Sequence, residues 1–259
     1  VTDRYAGAQH GWAHGAILVY GPLARTLVAH TPHDLAGRTV LDAGAGTGAA
    51  SVALTAVGAR PIAIDSSYDM LSWNAPTRPP AAAADVTALP LAHRSVDDSV
   101  SAFVLNHLLE PARAIAELIR VTRPGGALLA CVYSNDSRSD VRDQVDAVAI
   151  ECGWEVPEWY MEVKANATPL LGTAPAMEAT ARSVGLEDVT VVERPVDVGV
   201  TEAEQLVAYR FGQAHFASWL SQIGADRAEG VRRDAIEAIR PIMRPYEPIV
   251  IFLAGRIPD

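Results

Sequence analysis

The run Val40-Leu41-Asp42-Ala43-Gly44-Ala45-Gly46-Thr47-Gly48 constrains this chain more than any other feature. Three glycines at alternate positions follow a short apolar stretch and precede an alanine-rich one. Glycine there lets the backbone turn sharply and approach a ligand closely. The spacing is G-x-G-x-G, not the G-x-G-x-x-G with which dinucleotide-binding sheets seat a pyrophosphate. Asp42 ends the apolar run ahead of the glycines, which suits a ligand carrying an amino group. Taken alone, the motif also fits a glycine-rich turn that binds nothing.

Short apolar runs alternate with helical patterns on either side of it. Residues 39–43, 60–64, a segment within 81–86, 99–105 and 127–133 read as strands. Residues 47–57, 69–74 and 111–121 read as the helices between them. Pro111 is tolerated in a first helical turn, and Pro124-Gly125-Gly126 stops that helix. Such alternation means parallel strands with helices on both faces. Residues 1–35 read as helical, with Gly21-Pro22 as a break; 141–150, 174–184 and 228–239 read as further helices, and 189–198 and 249–254 as further strands. Residues 153–173, rich in Trp, Tyr and Pro, read as an irregular insertion over a pocket.

Two more carboxylates end strands of this series. Asp65, after the second, is placed to accept both hydroxyls of a ribose; a surface Asp capping the next helix is the alternative. Asp85, after the third, could accept from an exocyclic amine while the N–H of Val86 donates to a ring nitrogen. A solvated loop Asp fits that position too. Together the three strand ends match an amino acid group, a ribose and an adenine, the layout of S-adenosylmethionine (SAM).

At this point the chain resembles the class I SAM-dependent methyltransferases, specifically the type 11 group that includes ubiquinone and menaquinone methyltransferases. The resemblance is carried by VLDAGAGTG (40–48), AIDSSYDML (63–71), DVTALPL (85–91), FVLNHLLEPARAIAEL (103–118) and RVTRPGGALL (120–129), and runs over residues 36–133. It implies a Rossmann-like, seven-stranded, mostly parallel sheet with helices on both faces and the last strand antiparallel. It implies SAM as cofactor, leaving as S-adenosylhomocysteine. Residue by residue, Asp42, Gly44, Ala45 and Gly46 would hold the methionine moiety and Asp65 the ribose. Ser66 and Met70 would flank the adenosine, Asp85 and Val86 bind adenine, and Leu105 and Asn106 lie beside the sulfonium. One departure stands out: Asp98 and Ser99 replace the small apolar residues usual there. The single domain then divides into an N-terminal cap (1–35), a cofactor-binding core (36–134), a lid or substrate insertion (135–185) and a segment completing the sheet (186–259).

Composition narrows the acceptor. With 21 Lys and Arg against 31 Asp and Glu, the formal charge of −10 repels nucleic acid unless a local basic patch compensates. The one lysine, Lys164, disfavours RNA 2′-O-methylation, which usually uses two. Leu105-Asn106-His107-Leu108 lacks the Asn/Asp-Pro-Pro-aromatic run of enzymes that methylate exocyclic amines. No acidic set for a catalytic metal is evident, so no metal is expected. Cys131 and Cys152 have no zinc spacing and read as reduced thiols in a cytoplasmic protein; no run is long enough to span a membrane.

A small organic molecule, a natural product included, or a short peptide remains as acceptor, on O, N or C. Positioning does most of the work in such an in-line displacement. A base is needed only if the nucleophile arrives protonated, and His107 is the candidate. His10 and His14 are weaker candidates for the pocket; Trp154, Trp159 and Tyr160 form either an aromatic wall or core packing. The competing function is a methyltransferase fold that binds SAM or substrate but promotes another reaction, such as a cyclisation.

Overall fold

The computed structural model describes residues 3–259, so the first two residues of the expected cap lie outside it. Seven strands form one sheet: β1 Thr39–Ala43, β2 Arg60–Asp65, β3 Ala81–Ala83, β4 Asp98–Ala102, β5 Ala127–Tyr133, β6 Glu187–Pro195 and β7 Ile249–Arg256, in the order β3-β2-β1-β4-β5-β7-β6. β1 to β5 pair with one another in parallel, and β7 inserts antiparallel between β5 and β6. β1 and β5 are buried nearly throughout, as a parallel sheet covered on both faces requires. Val40, Leu129 and Cys131 point into one apolar layer, and Leu41, Leu128 and Ala130 into the other. The helices Ile17–Val28, Asp140–Glu151 and Ala225–Ile239 share the first layer, while Pro111–Val121 and Ala174–Ser183 share the second.

Strand order reverses between β1 and β4. The crevice beyond the carboxyl ends of those two strands is where open α/β sheets bind ligands. Gly44 sits at this point with φ +78°, and an added Cβ would lie 2.0 Å from Cγ2 of Val104. Both the backbone conformation and the close approach therefore demand glycine there.

Three expectations change. The helix Ile17–Val28 runs through Gly21-Pro22 without a break. Val19, Leu23 and Leu27 are fully buried on one face, and their packing outweighs the ~3 kcal/mol of an internal proline. The expected strand at 99–105 stops at Ala102; Phe103 takes a left-handed φ of +59°, and Leu105–His107 forms a single 3-10 turn. The insertion over the site holds regular turns, Glu158–Glu162, Val163–Ala167 and Thr168–Leu171.

Two helices without a counterpart in the sequence reading, Ala203–Phe211 and Ala214–Ile223, also reach the site side. The first crosses the N-terminal segment so closely that a Cβ on Gly15 would lie 2.0 Å from the Ala208 carbonyl oxygen.

The departure at Asp98 and Ser99 has a structural reason. Asp98 is buried at the start of β4. It accepts from Arg38 Nε at 2.5 Å, His33 Nε2 at 2.8 Å and the Ala127 N–H at 2.8 Å. Beside it, the hydroxyls of Ser99 and Thr122 meet at 2.6 Å. This polar latch ties the β1 approach, β4 and β5 together at the end of the sheet opposite the crevice.

Candidate functional site

The crevice gathers the carboxylates of β1 and β2. Asp42 is fully buried; its Oδ2 accepts from the Ser51 hydroxyl at 2.6 Å, and its Oδ1 has no partner among the described residues. Burial pushes its pKa up to about 6, against the opposing pull of the Ser51 hydrogen bonds. Asp65, one strand over, accepts from the Gly46 N–H and the Ser67 N–H, each at 2.8 Å. Burial raises its pKa too, and those two N–H groups oppose the rise. Each carboxylate oxygen keeps a second lone pair for a ligand.

Arg78 reaches over from the loop before β3. It donates to the carbonyls of Leu71 (2.6 Å) and Gly46 (3.3 Å), while its buried Nε is unpartnered among the described residues. No reading of the sequence singled out Arg78; its partners are all backbone carbonyls, which leave no motif.

The other expected cofactor residues divide. Ala45 packs against Ala63 and Leu71 behind the turn, so its contribution would be backbone. Met70 is buried, its Cε 3.5 Å from where a Gly46 Cβ would stand. Ser66 is exposed; its neighbour Ser67 does the local work, capping the helix Tyr68–Ser72 and donating to Asp3 at 2.7 Å. Asp85 is exposed and bonded to its own turn, accepting from Thr87 N–H and Oγ1 at 2.7 and 2.8 Å, while Val86 is buried below it. The Leu105 side chain is fully buried in the second apolar layer, leaving only its backbone toward the crevice. Asn106 keeps a buried Oδ1 without a partner among the described residues.

The N-terminal segment straps across this crevice. Asp3 accepts from Ser67, the Gly7 N–H donates to Asp69 at 3.0 Å, and Tyr5 Oη lies 2.8 Å from Nδ1 of His107. The strap thus joins the ends of β2 and β4. Burial lowers the His107 pKa to about 4, with the charges of Lys164 and Arg4 adding to the effect, so the ring is neutral near pH 7.

Beyond His107 opens a cavity of about 330 Å³. Trp159 and Tyr160 line it, as does His215, which stacks on Tyr160 at 4.0 Å. Trp154 does not line it. That ring is buried, stacked on Phe216 at 4.1 Å, with Nε1 donating to the His215 carbonyl. His10 and His14 stack on each other and against Trp73, away from the cavity.

A sheet of this order, with a glycine turn and acidic strand ends at its switch point, defines a class I SAM-dependent methyltransferase fold. Residues 41–130 match a family model described as a methyltransferase domain. A demethylmenaquinone methyltransferase of Mycolicibacterium paratuberculosis is 40% identical over 103 residues, 40% of this chain and 45% of that protein. A demethylmenaquinone methyltransferase of Paenarthrobacter aurescens is 32% identical over 193 residues, 73% of this chain and 62% of that protein. The chain thus spans about half the length of the first of these relatives. Among solved structures, phosphoethanolamine N-methyltransferase 2 of Haemonchus contortus, in complex with SAM, superposes with a TM-score of 0.59 at 14% identity. That match covers 100% of this chain and 61% of the other.

Proposed function

We propose that this chain transfers a methyl group from SAM to a small organic acceptor by in-line displacement. The observation that carries the reading is a pair of buried polar atoms left without partners among the described residues beside the glycine turn, Asp42 Oδ1 and Arg78 Nε, with Asn106 Oδ1 a third beyond the end of β4. Buried polar groups are almost always paired, so a crevice edged by such unpaired atoms fits a polar, charged ligand. In this reading Asp42 faces the ammonium of the methionine moiety and Asp65 the ribose hydroxyls. SAM supplies an electrophilic methyl on a good leaving group. The chain's own residues orient the acceptor, exclude water under the strap at residues 3–7 and, at His107, take a proton from the acceptor where one must leave.

For His107 to act through Nε2, its Nδ1–H must donate to the Tyr5 oxygen, which leaves Nε2 as an acceptor facing the cavity. Incubation with methyl-labelled SAM and a panel of small phenols, acids, amines and short peptides tests the function. A product that has gained the labelled methyl in place of a hydrogen supports it. SAM bound but never demethylated, with an acceptor rearranged or cyclised instead, supports the competing one.

Two predictions attach to the cofactor site. Asp65→Ala should weaken SAM and S-adenosylhomocysteine at least tenfold, about 1.4 kcal/mol. Isothermal titration of the folded variant checks this, and unchanged affinity removes the ribose assignment. The second concerns pH. A cationic ammonium pairs only with ionised Asp42, whose pKa without ligand is raised to about 6. Affinity should therefore be full above pH 7 and fall as pH drops through 6, with protons released on binding near pH 6. Titrations in two buffers of different ionisation enthalpy measure that release. A flat profile from pH 5 to 8 would show that Asp42 does not face the charge.

A further inference from the structure

The chain carries a formal charge of −10, and 31 of its 259 residues are acidic. Yet no carboxylate side chain among the described residues lines the cavity beside His107. Four basic side chains do. Arg210 is already neutralised: Asp146 accepts from its Nε and Nη2, both at 2.6 Å, and Gln213 from its Nη1. The remaining three, Arg138, Arg142 and Lys164, are not matched in this way. Among the described residues Arg142 is held only by the exposed Asp143, at 3.1 and 3.4 Å, with its side chain 25% exposed. Arg138 and Lys164 make no ion pair among the described residues.

The same cavity has an aromatic floor. Tyr20 meets Phe103 edge to face at 5.1 Å between centroids, and Phe103 meets Tyr133 at 4.6 Å. The hydroxyls of Tyr133 and Tyr209 lie 3.3 Å apart. This floor runs from the end of β4, where His107 stands, to the helix Ala203–Phe211, which packs against the helix carrying Arg142. A volume of about 330 Å³ suits a molecule of one or two rings, near the lower end of the ~300–1,000 Å³ of ligand pockets.

We infer that the acceptor is a small aromatic acid: a planar ring system laid on the tyrosine floor, with its anionic group held by Arg142 and the fields of Arg138 and Lys164. A guanidinium meets a carboxylate through two parallel N–H donors, which fixes orientation as well as charge. Anchoring the acid on the Arg142 side turns the opposite edge of the ring toward His107. A net positive cavity in a net negative protein also selects against neutral and cationic look-alikes before chemistry begins. The inference rests on the methyl-transfer reading for what happens to the acceptor, but not for its binding.

The test uses two matched pairs of probes, 1-hydroxy-2-naphthoic acid and 4-hydroxybenzoic acid, each with its carboxamide. They are titrated into the full chain with and without saturating S-adenosylhomocysteine. At least one acid should bind tenfold or more tightly than its amide, with the preference shrinking as salt is raised. In Arg142→Met the ratio should fall below threefold with amide affinity unchanged, and Arg142→Lys should restore part of it. Lys164→Met, at an exposed position, gives a second reading should the Arg142 variants melt early; it should lower the ratio by a smaller factor. Amides that bind as well as acids, or no binding by either pair, overturn the inference. If S-adenosylhomocysteine binds while the ratio is near one, the acid site fails and the methyl-transfer reading stands. If an acid binds selectively while S-adenosylhomocysteine does not bind in any state, the acid site stands and the methyl-transfer reading fails.

Discussion

Replacing His107 with glutamine should lower kcat by roughly 10²–10⁴-fold, the usual contribution of a positioned general base. S-adenosylhomocysteine affinity should change by less than about threefold, under ~0.7 kcal/mol. The split follows from position: His107 lines the cavity proposed for the acceptor, and its Nδ1 is engaged by Tyr5 at 2.8 Å, while the carboxylates proposed to hold the cofactor, Asp42 and Asp65, lie on β1 and β2. Glutamine keeps a polar side chain but cannot accept a proton near neutral pH.

The pH dependence carries a further signature. The proposed base is the neutral ring, and burial lowers its pKa to about 4 from an ordinary 6.5. The rate should therefore stay flat as pH falls through 6.5 and decline only toward 4. The sign for stability is separate: because the folded protein resists protonating this ring, His107 opposes folding progressively as pH drops below 6.5. A glutamine variant that keeps wild-type kcat on an acceptor that must lose a proton would remove His107 from the mechanism.

Asp98→Ala should destabilise the folded chain by about 2–4 kcal/mol without changing cofactor affinity in the protein that remains folded. Removing one partner of a buried pair typically costs ~3–5 kcal/mol because the other charge is stranded. Here the figure is lower because the stranded groups are near water, with Arg38 34% exposed and His33 32% exposed. What cannot be resolvated is the Ala127 N–H, which donates to Asp98 at the buried start of β5. A loss of this size should lower Tm by roughly 5–15 °C for a domain of this length. Asp98→Asn, which keeps an acceptor for Ala127, should lose less. Thermal unfolding of both variants beside calorimetry with S-adenosylhomocysteine separates the effects. A ΔΔG below ~0.5 kcal/mol, the range of ordinary surface changes, would mean the latch contributes nothing.

The sheet was legible in the sequence wherever local pattern and tertiary role agree. β1, β5 and the helix Pro111–Val121 have the bounds the pattern predicts, because each is a short apolar run or a clear 3.6-residue stripe closed by glycine or proline. The glycine turn and the placement of the acids at 42 and 65 at strand ends were legible for the same reason, since a sharp turn with positive φ at Gly44, Gly46 and Gly48 leaves its mark in consecutive residues. Gly21-Pro22 misled because packing against the sheet overrode a local breaker. Trp154 was read as a pocket wall or core packing; its ring is core, buried against Phe216, a partner 62 positions away that no local pattern shows.

The cavity beside His107 was the least legible part. Tyr20, Phe103, Tyr133, Arg142, Lys164, Tyr209 and His215 come from seven separate elements or turns and share no spacing. Of these only Phe103, as the start of the 103–118 motif, and Lys164, as the single lysine, drew notice, and the position of Lys164 in the cavity follows from the turn Val163–Ala167. The polar latch at Asp98 was visible as a departure from the family pattern, but its purpose needed His33, Arg38 and Ala127 in three dimensions.

The central claim is that the switch-point crevice binds SAM. Titration calorimetry of the purified chain with SAM and with S-adenosylhomocysteine, after mass spectrometry of a denatured portion for ligand carried through purification, tests it most directly. The account predicts one site per chain and micromolar or tighter affinity for both, lost at least tenfold in Asp65→Ala. A folded chain that binds neither and carries neither would contradict it, leaving a methyltransferase fold without its cofactor chemistry.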